Sequence, residues 1–188
     1  MATENGDNLI TATQQAHPFP MIRTGGMFLL CIGSGILVGA VLGERNLVIP
    51  LIVGAVLAFV TQGVFAKRLS RHLGKPTRVQ IAALVSGIVL ETLASFIAAS
   101  VFLVRQHDWR AFWLWILLIV GCHLLIIAIA QGPLLLILGG LCIANALIAF
   151  LSPEIPLSVF WLIDGVLKII IGGWMLVSPP SWKWGRIV

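Results

Sequence analysis

The sequence predicts an all-α, polytopic membrane protein with six transmembrane helices arranged as three hairpins. Composition is the first reason: 59% of the residues are hydrophobic, 10% are charged and the mean hydropathy is +1.05. Soluble domains carry roughly 45–50% apolar and about 25% charged residues, so a chain of this size could not hide so much apolar surface from water. The second is block length, since the apolar residues come in runs of about 18 or more, enough to cross a hydrocarbon core of about 30 Å. The third is the backbone. Only helices or closed barrels satisfy every N–H and C=O in lipid, and these runs lack the alternation of barrel strands.

The blocks run from Gly25 to Gly43, Asn46 to Ala66, Ile81 to Val104, Ala111 to Ala130, Pro133 to Leu151 and Leu157 to Val177. Their connections are Glu44-Arg45, Lys67 to Gln80, Arg105 to Arg110, Gln131-Gly132 and Ser152 to Pro156. The expected organisation is a polar tail over residues 1–24, a six-helix domain over 25–178 and a short tail over 179–188. The first block has neither a strongly basic segment before it nor an Ala-x-Ala-like site after it, so no cleavable signal peptide is expected.

Lys and Arg are retained on the cytoplasmic side, and counting them on alternate sides orients the chain. With both termini inside, the cytoplasmic side holds Arg23, Lys67, Arg68, Arg71, Lys75, Arg78, Lys183 and Arg186, against Arg45, Arg105 and Arg110 outside. Both termini are therefore expected in the cytoplasm of a cell membrane. Trp109, Trp113 and Trp115 beside Arg110 read as one interfacial belt, and Trp182 and Trp184 beside Lys183 as the other. The net charge of +5 is concentrated in one loop, which makes it an orientation signal and argues against nucleic acid as a partner. Cys31, Cys122 and Cys142 all fall inside apolar blocks, where they act as small hydrophobes and form no disulfide framework.

Cys31, Gly35, Gly39 and Gly43 recur at four-residue spacing, giving the first helix a face that a neighbouring backbone can approach closely. Gly54 and Ala58 continue the seam on the second helix, Gly87, Ala94, Ser95 and Ala98 on the third, and Gly165 and Gly172 on the sixth. Such seams serve packing within the chain or contact with a second copy. Leu51 to Leu57 and Leu162 to Lys168 match in pattern, suggesting a repeat between the first and last hairpins and arguing against an inverted repeat.

Charged groups near the bilayer centre cost at least about 2.5–3.5 kcal/mol each on insertion scales, so they need partners or a role. Glu91, His123, Asp164 and Lys168 occupy such positions and form the candidate polar site. Asp164 and Lys168 are four residues apart, where a carboxylate and an ammonium meet along a helix. Glu91 lies on the small-residue face of its helix and, left unpartnered, would be protonated. His123 with Glu91 and Asp164 could form a proton relay or a cation site, although the Lys168 charge disfavours a bound metal. Asn145 falls at similar depth and could complete the network by hydrogen bonding. The bland alternative is a self-neutralising pair that only locks packing, which leaves open why apolar residues were not used instead. Gly33-Ser34-Gly35 with His123 lacks the surrounding motifs of intramembrane proteases. The Asp164 to Lys168 spacing on a last helix lacks the seventh helix and aromatic box of a retinal protein. No nucleotide or zinc motif is present, and we expect no cofactor, no metal and no catalytic residues.

The segments Leu73 to Gln80, Arg110 to Leu114 with Gly121-Cys122-His123, and Ile163 to Ile169 resemble those of an uncharacterised family of small bacterial multipass membrane proteins, a domain of unknown function, over about residues 25 to 178. The resemblance implies the topology and no activity, and its most specific pieces include His123, Asp164 and Lys168. Gln131-Gly132-Pro133 departs from the His-Gly-Lys of that pattern. A looser likeness is to HdeD-type acid-resistance proteins, which implies a stress-related membrane role. The functional expectation is thus proton or small-solute movement through the Glu/His/Asp/Lys cluster, or a structural or stress-response role in which the cluster locks helix packing. A homo-oligomer is compatible with both.

Overall fold

A computed structural model describes residues 18–177 apart from positions 44, 45 and 72. Six helices make up this region: α1 (Ile22–Leu42), α2 (Val48–Ser70), α3 (Arg78–Ala98), α4 (Trp109–Gln131), α5 (Leu134–Leu151) and α6 (Leu157–Val177). All six are long and apolar enough to span a membrane. The Glu44-Arg45 connection, most of the N-terminal tail, and Trp182, Lys183, Trp184 and Arg186 lie outside the described residues.

Local chemistry sets the helix ends. The Thr77 hydroxyl accepts from the Gln80 amide while the Gln80 side chain accepts from the Thr77 N–H, a reciprocal cap that starts α3 three residues before the expected Ile81. Asp108 caps α4 by accepting from Ala111 N–H at 2.9 Å. Gly132 ends α4 with φ +109, a conformation that favours glycine, and Pro133 immediately precedes α5. The expectation of one regular third helix up to Val104 is modified: from Ala99 to Arg105 the backbone widens into a π-helix. At the transition the Ser100 hydroxyl bonds the Phe96 carbonyl, and Phe102 stacks on Trp115 of α4 at 5.9 Å.

Each expected hairpin is packed, and the helices follow one another around the bundle in the order α2, α1, α6, α5, α4, α3. The most extensive interface joins the first and last helices. Glycines make it possible. A Cβ on Gly172 would lie 2.8 Å from the Gly26 carbonyl oxygen, and one on Gly33 would lie 3.0 Å from the Gly165 carbonyl oxygen. Between α1 and α2, a Cβ on Gly35 would come within 2.5 Å of the Pro50 carbonyl oxygen and 3.1 Å of Gly54. Gly39 rests on Leu47 in the same way. Gly43 departs from the expected seam: it ends α1 with φ +92 and nothing stands within 4 Å of its added Cβ. A further crossing joins Gly121 of α4 to Gly139 of α5. A similar glycine contact thus marks both the α1–α2 and the α4–α5 crossings.

Two apolar cores result. One, toward the end where α1 starts and α6 finishes (the terminal face), gathers Leu29, Leu124, Leu135, Leu138, Ile171 and Met175; the other, toward the opposite face, gathers Ile36, Leu117, Ala146, Leu157, Phe160 and Trp161. On α6, Asp164 and Lys168 fall between them. Helices α2 and α3 flank the bundle with large apolar side chains turned outward, Val56, Phe59 and Val64 on α2 and Val85, Leu93 and Phe96 on α3.

Replacing Gly172 with Leu should lower stability by about 1–3 kcal/mol through overpacking against α1, whereas Gly173→Ala, with nothing within 4 Å of the added Cβ, should be nearly neutral. Thermal unfolding of the detergent-solubilised variants reads both.

Candidate functional site: an intramembrane charged layer

The four expected ionisable residues resolve into two contacting pairs. Asp164 and Lys168 form an ion pair along one face of α6, with Lys168 Nζ donating to both carboxylate oxygens. They are sealed, at 1% and 3% side-chain exposure. The other pair links α3 to α4: His123 Nδ1 stands 2.5 Å from Glu91 Oε2, an ion-pair approach without an aligned hydrogen bond. This pair is more open, at 12% for His123 and 30% for Glu91. Counted along each helix from the terminal face, the four groups lie about 12–20 Å deep, so the two pairs share one layer of the bundle.

Small residues let each pair form. Gly87, one turn before Glu91, brings α3 against α4 so closely that a Cβ there would lie 2.9 Å from Ile127. Gly165 does the same for α6 against α1, turning the helix so that Asp164 and Lys168 point away from lipid.

Cys142 is the member that sequence reasoning missed. It is fully buried on α5, and its thiol donates to Asp164 Oδ1 at 3.2 Å. A lone cysteine in an apolar run carries no signal of this; only the register of α5 against α6 does. Asn145 departs from the expected role, since its side-chain N–H₂ donates to the Phe160 carbonyl at 2.9 Å and it ties α5 to the backbone of α6 one turn from Asp164. Glu91 has a partner in His123. Ser34 is exposed and donates to Leu30 of its own helix, and His123 faces Glu91, so no serine–histidine pair forms. Among the described residues no three metal-ligating side chains cluster. A recess of about 550 Å³ between α1 and α2, lined by Met27, Leu30, Pro50 and Leu57 among others, includes none of the charged groups.

The layer has a definite chemistry. Asp164 and Lys168 neutralise each other. Glu91 and His123 set a carboxyl group against a ring nitrogen, an acid–base pair in contact. With Nδ1 facing Glu91, Nε2 remains as a second ring position able to take or give a proton.

Six apolar helices around a charged layer define a multipass membrane protein. The chain belongs to the family of unknown function DUF6609, which it matches over residues 12–183. No curated protein and no solved structure matches it, so the looser likeness to HdeD-type proteins has no counterpart among them.

Breaking the sealed pair from one side should be costly. Asp164→Asn strands the Lys168 ammonium and should destabilise the protein by about 3–5 kcal/mol, while Asp164→Leu combined with Lys168→Leu should recover most of that loss. Chemical unfolding of the three proteins in one detergent measures the difference.

Proposed function

We propose that this protein moves protons, or a small solute coupled to them, across the membrane through the Glu91–His123 pair. The observation that supports this most is the contrast between the two pairs: Glu91 and His123 are in contact and 30% and 12% exposed, whereas Asp164 and Lys168 are sealed. A purely mechanical lock needs no second ionisable pair of higher exposure. Intramembrane carboxylates and imidazoles commonly serve as proton relays, and a Glu–His pair can hold and release one proton while its surroundings keep a fixed charge balance.

A second reading has its own support. The 1% and 3% exposure of Asp164 and Lys168 favours a structural role for that pair, in which the layer fixes helix register and the protein acts as a non-transporting structural or stress-response component. The basic residues Lys67, Arg68, Arg71, Lys75 and Arg78 at the terminal face, against Arg105 and Arg110 opposite, support both termini in the cytoplasm. The earlier resemblance supports a bacterial inner membrane as the site of action.

Proteoliposomes with a trapped pH dye and an imposed potassium diffusion potential separate the two readings. Proton flux above that of empty liposomes is expected from the native protein, and Glu91→Gln should reduce it by about tenfold or more, a rise of at least about 1.4 kcal/mol in the barrier. Native protein that folds, reconstitutes and carries neither protons nor solute would leave the lock as the function.

A further inference from the structure

The recess between α1 and α2 takes no part in the charged layer and has a chemistry of its own. It holds about 550 Å³, within the range of about 300–1,000 Å³ typical of small-molecule sites. Its floor exists because Gly35 and Gly54 let the two helices approach, a Cβ on Gly35 lying 3.1 Å from Gly54. Met27 and Val38 mark its extent on α1, and Val53 and Leu57 face them from α2. Val38, Val53 and Leu57 are exposed, so the recess opens outward to the surrounding hydrocarbon. The Ser34 hydroxyl on its wall is already bonded to the Leu30 carbonyl of the same helix. From Met27 to Val38 the recess runs about 16 Å along α1. Half of a hydrocarbon core of about 30 Å is about 15 Å, so the length matches one leaflet.

Two cations stand at the end of the recess nearer the terminal face. Arg23 precedes Ser34 on α1, and Arg68 follows Leu57 on α2, by about three helical turns, so both fall on the stripes that line the recess. The contacts of Gly35 with Gly54 and of Cys31 with Thr61 fix the antiparallel register of the two helices. In that register Arg23 and Arg68 lie within about one turn of each other in depth. Arg68 is exposed, whereas Arg23 is half-buried, with its Nε closed to solvent and without a hydrogen-bond partner among the described residues. A buried guanidinium donor left unmade is costly, and its usual acceptors are carboxylates and phosphates. The described carboxylates are elsewhere: Glu91 and Asp164 in the charged layer, Asp108 and Glu154 at the opposite face.

We propose that this recess binds one anionic phospholipid from the leaflet at the terminal face, its phosphate between Arg23 and Arg68 and one acyl chain along the apolar wall. Such a molecule joins the two features that the site presents together, an anion at one end and a hydrocarbon chain one leaflet long. A second copy of the chain fits less well, since none of its described carboxylates lies at the depth of Arg23. The assignment is independent of the proton-moving reading.

Native mass spectrometry of the detergent-purified protein counts bound lipid while dioleoyl phosphatidylglycerol or dioleoyl phosphatidylcholine is titrated in. One phosphatidylglycerol should bind about tenfold more tightly than phosphatidylcholine, and Arg23→Gln/Arg68→Gln should remove that preference. Lys75→Gln/Arg78→Gln takes the same charge from the loop and start of α3, away from the recess, and should leave the preference in place. Ser34→Trp fills the recess and should weaken phosphatidylglycerol binding as far as the paired arginine change does, with an unchanged Tm showing that each variant folds. Inorganic phosphate, which has the anion and no chain, should not displace the lipid. Equal binding of the two lipids by the native protein, equal loss in the two charge variants, or binding unchanged by Ser34→Trp would overturn the proposal. Displacement by phosphate would reduce the site to one for a free anion, and a dimer carrying no lipid would give the face to a second copy; either result also overturns it.

Discussion

A charge cannot stay alone in hydrocarbon, and the bundle is arranged around that constraint. Asp164 and Lys168 are sealed from lipid and water, so their mutual attraction must replace two hydration shells. The attraction suffices only if the geometry is tight and the remaining valences are filled. Cys142 takes one of them. The rest depends on α6 being covered on both flanks, by α1 through Gly26, Gly33, Gly165 and Gly172 and by α5 through Cys142 and Asn145. The glycine crossings and the charged pair are thus one device. Without close backbones the pair would face lipid, and without the pair the burial of two polar groups would have no compensation.

This explains what was legible in the sequence and what was not. Helix number and approximate bounds follow from block length and hydropathy, which the bilayer enforces residue by residue. The Asp164–Lys168 contact follows from four-residue spacing on one helix. Glu91 with His123 is a different matter, because it depends on how α3 is rotated against α4, and spacing along a chain says nothing of that angle. Depth alone placed the two at the same level. Cys142 and Asn145 show the same limit from the other side: both sit on α5, three residues apart, and their roles exchanged the expectation, with the thiol reaching the carboxylate and the amide reaching a backbone carbonyl. A shift of one residue in the α5–α6 register would alter both.

The seam glycines illustrate how a periodic signal can be right in general and wrong at its end. Gly35 and Gly39 meet α2 and its entry segment, as four-residue spacing implies, but the continuation to Gly43 runs past the helix terminus into a left-handed turn. There the missing side chain serves the backbone angle and not packing. Gly26 and Gly33, which are off that spacing, turn out to face α6. One helix therefore presents two glycine faces, one to each neighbour, and a single-stripe reading captures only the first.

The difference in exposure between the two pairs carries the argument for function furthest. If the layer existed only to hold helices together, its parts would be expected to share one environment, since a half-exposed pair contributes less than a sealed one and is easier to replace by apolar contact. The layer is graded: closed around Asp164 and Lys168, and more open around Glu91 and His123. Such a gradient puts the two pairs in different surroundings within one bundle. With a sealed dipole beside a partly exposed carboxylate–imidazole pair, any proton taken up changes the charge of the second pair alone, by one unit, and leaves the first as a fixed neutral neighbour.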